Sequence, residues 1–487
     1  MRRTILLPAI LLWVASAAAG ADPEPRAIRL SSASPEAIAA FERGRDLFES
    51  SREFEARGFF EKAIALDPQF AFAHAMLAQC LDGEAATKQM DRAASLGAAL
   101  DPAGRAMLQF WHARQAGDDA EAEKSVTLLE ELAPDDWRIE LLLGERAVEE
   151  GKGEEAVRLF RRAVELNPEA GEAYNHLGFA LSDLGQHDAA ITALRRYAAL
   201  KRDDPNPSDS LGEILLRAGR LEDAEGSFRK ASANPQFWYA AAGVATARLF
   251  RGEFERGREA LREEVAVAPD AAVRVRLMTF AAWTLLAENR RTEGLAALDA
   301  AEQVARASKL PALHAQLATT RAAFHVLAGE PAAALPLLDA ALERTSGKKL
   351  SGADQVSLRR SVAGWRIRAF VLLGRTAEAK GALESLQAEA AGNRGLTALV
   401  RGLRPAVTEA GGDLAAAWVE TSRCAATDWL CRMQRVRLSE RRGDPAGAEQ
   451  ARRVLVAERR RDLIWSSLEP SYLWVWVQLR SPGASSN

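Results

Sequence analysis

The chain has 487 residues, 48% of them hydrophobic and 27% charged, enough for a large core and, by length alone, for about three ordinary domains. A formal net charge of −3 gives no overall attraction to phosphate backbones, which excludes a general nucleic-acid role. Ala, Leu, Glu and Arg dominate and only 4 tyrosines occur, a composition of strong helix formers rather than of pleated sheets.

The chain opens like a secretory signal. Arg2 and Arg3 form a positive start, Ile5 to Ala19 an apolar run, and Ala19-Gly20-Ala21 a small-residue cleavage site, so residues 1–21 are expected to be removed before Asp22. The run contains Pro8 and falls short of the roughly 20 residues a membrane helix needs. Export to a secreted or periplasmic location is the reading, with an uncleaved membrane anchor as the alternative. No later stretch is apolar for long enough to span a bilayer, so no transmembrane segment is expected after cleavage.

From Pro35 onward the signal is internal repetition. Gly117, Gly151, Gly185 and Gly219 recur at an interval of 34 residues, as do Gly144, Gly178 and Gly212, and Ala122, Ala156, Ala190 and Ala224. Within residues 171–204, Tyr174, Leu177, Gly178 and Leu181 share one face of a first helix, and Ala190, Leu194 and Tyr197 one face of a second. Gly178 lacks a side chain and lets the neighbouring helix come close. Gly185 suits the left-handed residue that closes the first helix. The units 137–170, 171–204 and 205–237 follow this plan best, and Pro168 stops the second helix of the first of them. An earlier unit is marked by Gly44, Leu47, Ala56, Phe60, Ala63 and Pro68, and a later one by Gly252, Leu261 and Pro269.

Beyond Pro269 the turns at Gly329, Gly374, Gly412 and Gly443 are unevenly spaced, so the helices there are expected to vary in length. Residues Thr345 to Gln355 are polar and read as a long loop. Cys431 to Asp462 is rich in arginine, but Glu440, Glu449 and Glu458 interrupt it, as in a solvated face. Residues 463–487 carry Trp465, Tyr472, Trp474 and Trp476 and read as an aromatic cap over the open end of the stack, followed by a tail. Of the three cysteines, Cys424 and Cys431 would stand about 10.5 Å apart along a single helix, too far to bridge. Two free thiols are therefore expected unless the loop between them folds back.

The ordered pattern of aromatic, Leu-Gly, large apolar, Ala, aromatic and Pro at this interval resembles the tetratricopeptide repeat family. The resemblance implies an all-α fold, an α-solenoid of roughly ten to twelve antiparallel helix pairs stacked into a superhelix over residues 35–462. It further implies a concave groove lined by the first helix of each pair at the second, fifth, ninth and twelfth places of the unit. Those places hold Arg138, Leu141, Glu145 and Val148; Glu172, Asn175, Phe179 and Ser182; and Asn206, Asp209, Glu213 and Leu216. From them Arg138, Glu145, Glu172, Asn175, Phe179, Ser182, Asp209 and Glu213 are singled out as the peptide-binding set, mildly acidic and suited to a neutral or basic segment. The subgroup that grips chaperone C-termini needs a lysine and an asparagine where this chain has Leu141 and Glu145, so that role is rejected.

No catalytic pattern emerges. The six histidines are never closer than eleven residues, the string Gly151-Lys152-Gly153 follows a helix rather than a strand, and no G-x-S-x-G turn occurs. No catalytic residue, cofactor or metal is assigned. The function expected is an exported scaffold for protein–protein interaction, binding by the concave face and not acting as an enzyme. The rival is an enzyme or regulatory subunit with its site in the irregular half between Asp270 and Asp462.

Overall fold

A computed structural model describes residues 26–457 apart from 51, 82, 235–236, 238, 269, 309–310, 346–351, 391–392 and 425–427, together with 459, 475 and 479. The expected signal segment lies outside the described residues, as does nearly all of the expected aromatic cap. The described residues form helices and no strand.

Twelve consecutive helix pairs run along the chain. The first six are α1 (Pro35–Glu49) with α2 (Glu53–Leu66), α3 (Ala71–Gln79) with α4 (Gly83–Leu96), α5 (Pro102–Ala116) with α6 (Asp119–Leu132), α7 (Trp137–Glu149) with α8 (Gly153–Leu166), α9 (Gly171–Asp183) with α10 (His187–Leu200), and α11 (Asn206–Arg217) with α12 (Leu221–Ser232). The next six are α13 (Tyr239–Phe250) with α14 (Phe254–Val267), α15 (Ala271–Ala287) with α16 (Arg291–Ala307), α17 (Pro311–Leu327) with α18 (Pro331–Thr345), α19 (Gly352–Leu372) with α20 (Thr376–Glu389), α21 (Arg394–Ala410) with α22 (Leu414–Glu420), and α23 (Trp429–Arg441) with α24 (Pro445–Ala457). This is the all-α solenoid that the repeat spacing implies.

The repeating residues do the work their spacing suggests. Gly185 and Gly219 both adopt φ of 76°, where a Cβ would clash, and each closes the first helix of its pair. Asn289 takes the equivalent place between α15 and α16 at φ 61°, the one non-glycine residue among those described to do so. Inside the pairs, a Cβ on Gly178 would stand 2.9 Å from Leu194, and one on Gly212 would stand 2.7 Å from the ring of Phe228. Ala156, Ala190 and Ala224 are fully buried at the crossings. After α14 the helices lengthen, to 17 residues in α15, α16 and α17 and 21 in α19, which is why the regular interval dissolves there.

Two expectations are corrected. The loop expected over Thr345–Gln355 is shorter, because Thr345 ends α18 and Gly352 already begins α19. Cys424 and Cys431 form a disulfide, with Cα atoms 5.8 Å apart, rather than two free thiols. They do not share a helix: Asp428 caps α23 by accepting from the Cys431 N–H at 3.0 Å, so Cys424 precedes the helix and faces its first turn.

The stack also closes upon itself. Arg26 and Ile28 donate backbone N–H groups to Asp135 and Asp136, tying the start of the described chain to the turn before α7. At the other end Trp429, Met433, Leu455, Val475 and Leu479 are buried in the same continuous apolar cluster that runs through the repeats from α1 onward. Arg459 approaches the turn after α11, its guanidinium 3.0 Å from where a Cβ of Gly219 would be. No helix among the described residues is long and apolar enough to cross a membrane.

Candidate interaction cavity

The predicted groove is not one open surface. Its α11 portion is covered: Asp209 and Glu213 are buried, 4% and 2% exposed, and the Arg217 guanidinium bonds Glu213 at 3.1 Å and Asp183 at 2.8 Å. Nearly every residue of α11 is buried, the mark of a helix inside a protein rather than beside a groove. Ser182 is buried too, its hydroxyl 3.1 Å from Nδ1 of His187. These three residues are thus removed from the ligand-contacting set, because their side chains are buried within the stack.

Phe179 is half-buried beneath the Arg217 guanidinium, 5.0 Å from its ring centre. Asn175 is half-buried, and its Oδ1 has no hydrogen-bond partner among the described residues. Arg138 stacks on Trp137 at 4.2 Å and reaches Glu49 of α1 at 3.9 Å. Helix α1 is held against α10 by the ion pair of Asp46 with Lys201, and a polar pocket of about 380 Å³ between α1, α7, α9 and α10 is lined by Glu49, Arg138, Glu172 and Tyr197. Glu145 remains exposed.

The open space lies one step towards the N-terminus. A cavity of about 1600 Å³ is walled on one side by α1, α3, α5 and α7, with Phe48, Met76, Leu81, Met107, Phe110, Trp111, Leu141 and Leu142 supplying apolar surface. The opposite wall is formed by Val356, Ser357 and Arg360 of α19 and by Gly395 and Ala398 of α21. Trp111 is held edge-on against Phe72, ring centres 5.5 Å apart. Of the predicted set, Arg138, Glu145 and Glu172 reach this cavity, and Leu141 joins its floor. The family offsets carried one unit earlier fall on Gly104, Met107, Trp111 and Arg114, three of which line it, so the ladder glycine Gly117 was the signal that would have found them.

Acidic groups gather at one end. Nε2 of His176 stands 3.6 Å from Glu145 and 3.7 Å from Glu172. Burial works against a charge on His176, but the carboxylates of Glu172, Glu145 and Glu49 outweigh it and raise its pKa. The Glu145 carboxyl, although 46% exposed, is partly desolvated by the cavity wall around it and is raised too. Glu49 is pushed up to about 8, by burial first and then by the charge of Glu172, against the pull of Arg138 and Arg45. Among the described residues no hydroxyl or thiol stands in hydrogen-bond contact with His176, and no group of His, Cys, Asp and Glu converges to hold a metal ion. In the second half, Arg258 is paired with Glu255 and Glu288 and bonds the Thr284 hydroxyl at 3.2 Å, a network that ties α14 to α15.

The fold and cavity define a helical-repeat protein of the interaction class. Residues 147–213 match the family model described as tetratricopeptide repeat, so the chain carries repeats of that kind over this stretch. It is 31% identical over 90 residues to DnaJ homolog subfamily C member 3 of Mus musculus, a stretch that is 18% of each chain. It is 28% identical over 75 residues to small glutamine-rich tetratricopeptide repeat-containing protein 2 of Mycosarcoma maydis, 15% of this chain and 21% of that one. The matches thus span about a fifth of each curated relative. Among solved structures, a tetratricopeptide repeat protein from Parabacteroides merdae aligns over 56% of this chain and 94% of its own, at 16% identity and a TM-score of 0.34, too low to bear on site or partner.

Proposed function

We propose that this chain is an exported scaffold that binds a neutral or basic segment of another protein in the cavity between its first repeats and helices α19 and α21. The observation that carries the reading is the cavity itself: apolar side chains on its floor, carboxylates at one end, and a volume of about 1600 Å³. That exceeds the ~300–1,000 Å³ of small-molecule pockets and suits a length of polypeptide. Export is supported by the signal-like first 21 residues and by the Cys424–Cys431 disulfide, which belongs to an oxidising compartment. Binding, not catalysis, is the role that a repeat stack with this cavity serves best.

The test is capture of partners from an extract of the source organism's exported proteins, comparing the purified chain with its Glu145→Lys variant, followed by titration of the captured protein. Glu145 is 46% exposed, so the substitution leaves the core alone. A partner retained by the first and weakened at least tenfold by the second is expected. Capture that ignores the substitution, and that ignores Trp111→Ala as well, would move the binding surface away from this cavity.

A further inference from the structure

We infer that the cavity is a two-walled clamp for one amphipathic segment of a partner protein, which rests bulky apolar side chains on Phe48, Leu81, Phe110, Trp111 and Leu142 and places a lysine or arginine between Glu145 and Glu172. The inference rests on the scaffold reading and adds the chemistry of the partner and the second wall.

The apolar requirement comes from surface left uncovered. Phe48, Leu81, Phe110, Trp111 and Leu142 are each only partly buried, yet they face one cavity from α1, the turn after α3, α5 and α7. Across from them Val356 of α19 is 46% exposed and lines the same space. A contiguous apolar patch on a soluble protein marks an interaction site, and here two walls present it to one volume. An extended or helical segment with apolar residues on more than one side satisfies both walls at once; a flat partner surface would not enter.

The cationic requirement comes from charge. Six acidic side chains, Glu49, Glu84, Asp119, Glu145, Glu149 and Glu172, line the cavity with four arginines, Arg45, Arg114, Arg138 and Arg360, and with Glu49 holding its proton up to about pH 8 five carboxylates face four guanidinium groups at neutral pH. Three of the arginines already have acidic partners within the cavity: Arg45 lies 3.7 Å and Arg138 3.9 Å from Glu49, and Arg114 lies 3.7 Å from Glu149. Glu145 and Glu172 share the single histidine His176 instead, and one imidazolium balances only one of the two carboxylates. A lysine or arginine entering at that end meets two carboxylates, and a glutamate there meets repulsion.

The experiment uses the purified full chain and two synthetic helical peptides of about fifteen residues with the same leucine and phenylalanine face, one bearing lysines and the other glutamates on its polar face. Binding is read by fluorescence anisotropy at low salt. The lysine peptide is expected to bind at least tenfold more tightly than the glutamate peptide. Glu145→Lys should reverse that order, and Val356→Asp, at an exposed position on the far wall, should weaken the lysine peptide at least fivefold with an unchanged melting curve. Equal binding of both peptides, or indifference to Val356→Asp, overturns the clamp. If neither peptide binds while the chain still captures an exported partner, the clamp falls and the scaffold stands; if both fail, both fall.

Discussion

Two glycines in one helix pair should respond to alanine with opposite sign. Gly226 in α12 faces open space, with nothing within 4 Å of an added Cβ, whereas a Cβ on Gly212 in α11 would stand 2.7 Å from both Cδ1 and Cε1 of Phe228. Helix propensity alone favours alanine by ~1 kcal/mol at either site. At Gly226 nothing opposes that gain, so Gly226→Ala should stabilise the pair by ~0.5–1 kcal/mol. At Gly212 the ring cannot swing aside, because Phe228 is fully buried and Gly243 of α13 abuts it from another side. Overpacking there costs ~1–3 kcal/mol, so Gly212→Ala loses the whole propensity gain and is net destabilising by up to ~2 kcal/mol. Long repeat arrays do not melt as one unit, so native-state hydrogen exchange at α11 and α12 amides is the right measurement. Phe228→Leu in the Gly212→Ala background should recover part of the loss, giving a non-additive cycle. Equal gains in protection from Gly212→Ala and Gly226→Ala would refute the packing argument.

The raised pKa of Glu49 means the folded chain keeps a proton that the unfolded chain gives up, so this contribution to stability is present below the ordinary carboxyl pKa and is lost as pH rises through about 8. His176, also raised, acts in the same direction above its ordinary pKa; denaturation midpoints should fall from pH 6 to pH 9, and Glu49→Gln should flatten that slope. Thiol alkylation of the denatured chain should label one cysteine, Cys80, before reduction and all 3 afterwards, and Cys424→Ser should destabilise the α23 region by about 2 kcal/mol in a urea titration. Arg217→Ala leaves Glu213 buried without its guanidinium and should cost ~3–5 kcal/mol by the same titration, whereas Glu145→Lys should cost less than about 0.5.

Local features were legible wherever a residue's role depends on its neighbours within one helix pair. Gly185 and Gly219 as left-handed caps, Gly178 and Gly212 as close-approach sites, and Ala156, Ala190 and Ala224 at the crossings all follow from spacing. The candidate site was legible only in part. Arg138, Glu145 and Glu172 reach the cavity, but Ser182, Asp209 and Glu213 occupy the same kind of position on their helices and are buried. The distinction depends on how each helix packs against its neighbours in the stack, and an offset within a repeat carries no such information. The Cys424–Cys431 bridge shows the same limit: the rise along a helix forbids it, and the turn before α23 permits it.

The sequence by itself determined the class of architecture, the pairing of helices and the residues that make each pair pack, because these are short-range consequences of hydrophobic period, glycine conformation and side-chain size. Only the tertiary structure decided where the solenoid is open. Closure of α1 onto α7 and α10, and burial of α11 within the stack, cover part of the concave face, and the approach of α19 and α21 makes a cavity of what remains. Those contacts join residues separated by two or more whole repeats, and their register follows from the accumulated geometry of every pair between them, a quantity that no single repeat encodes.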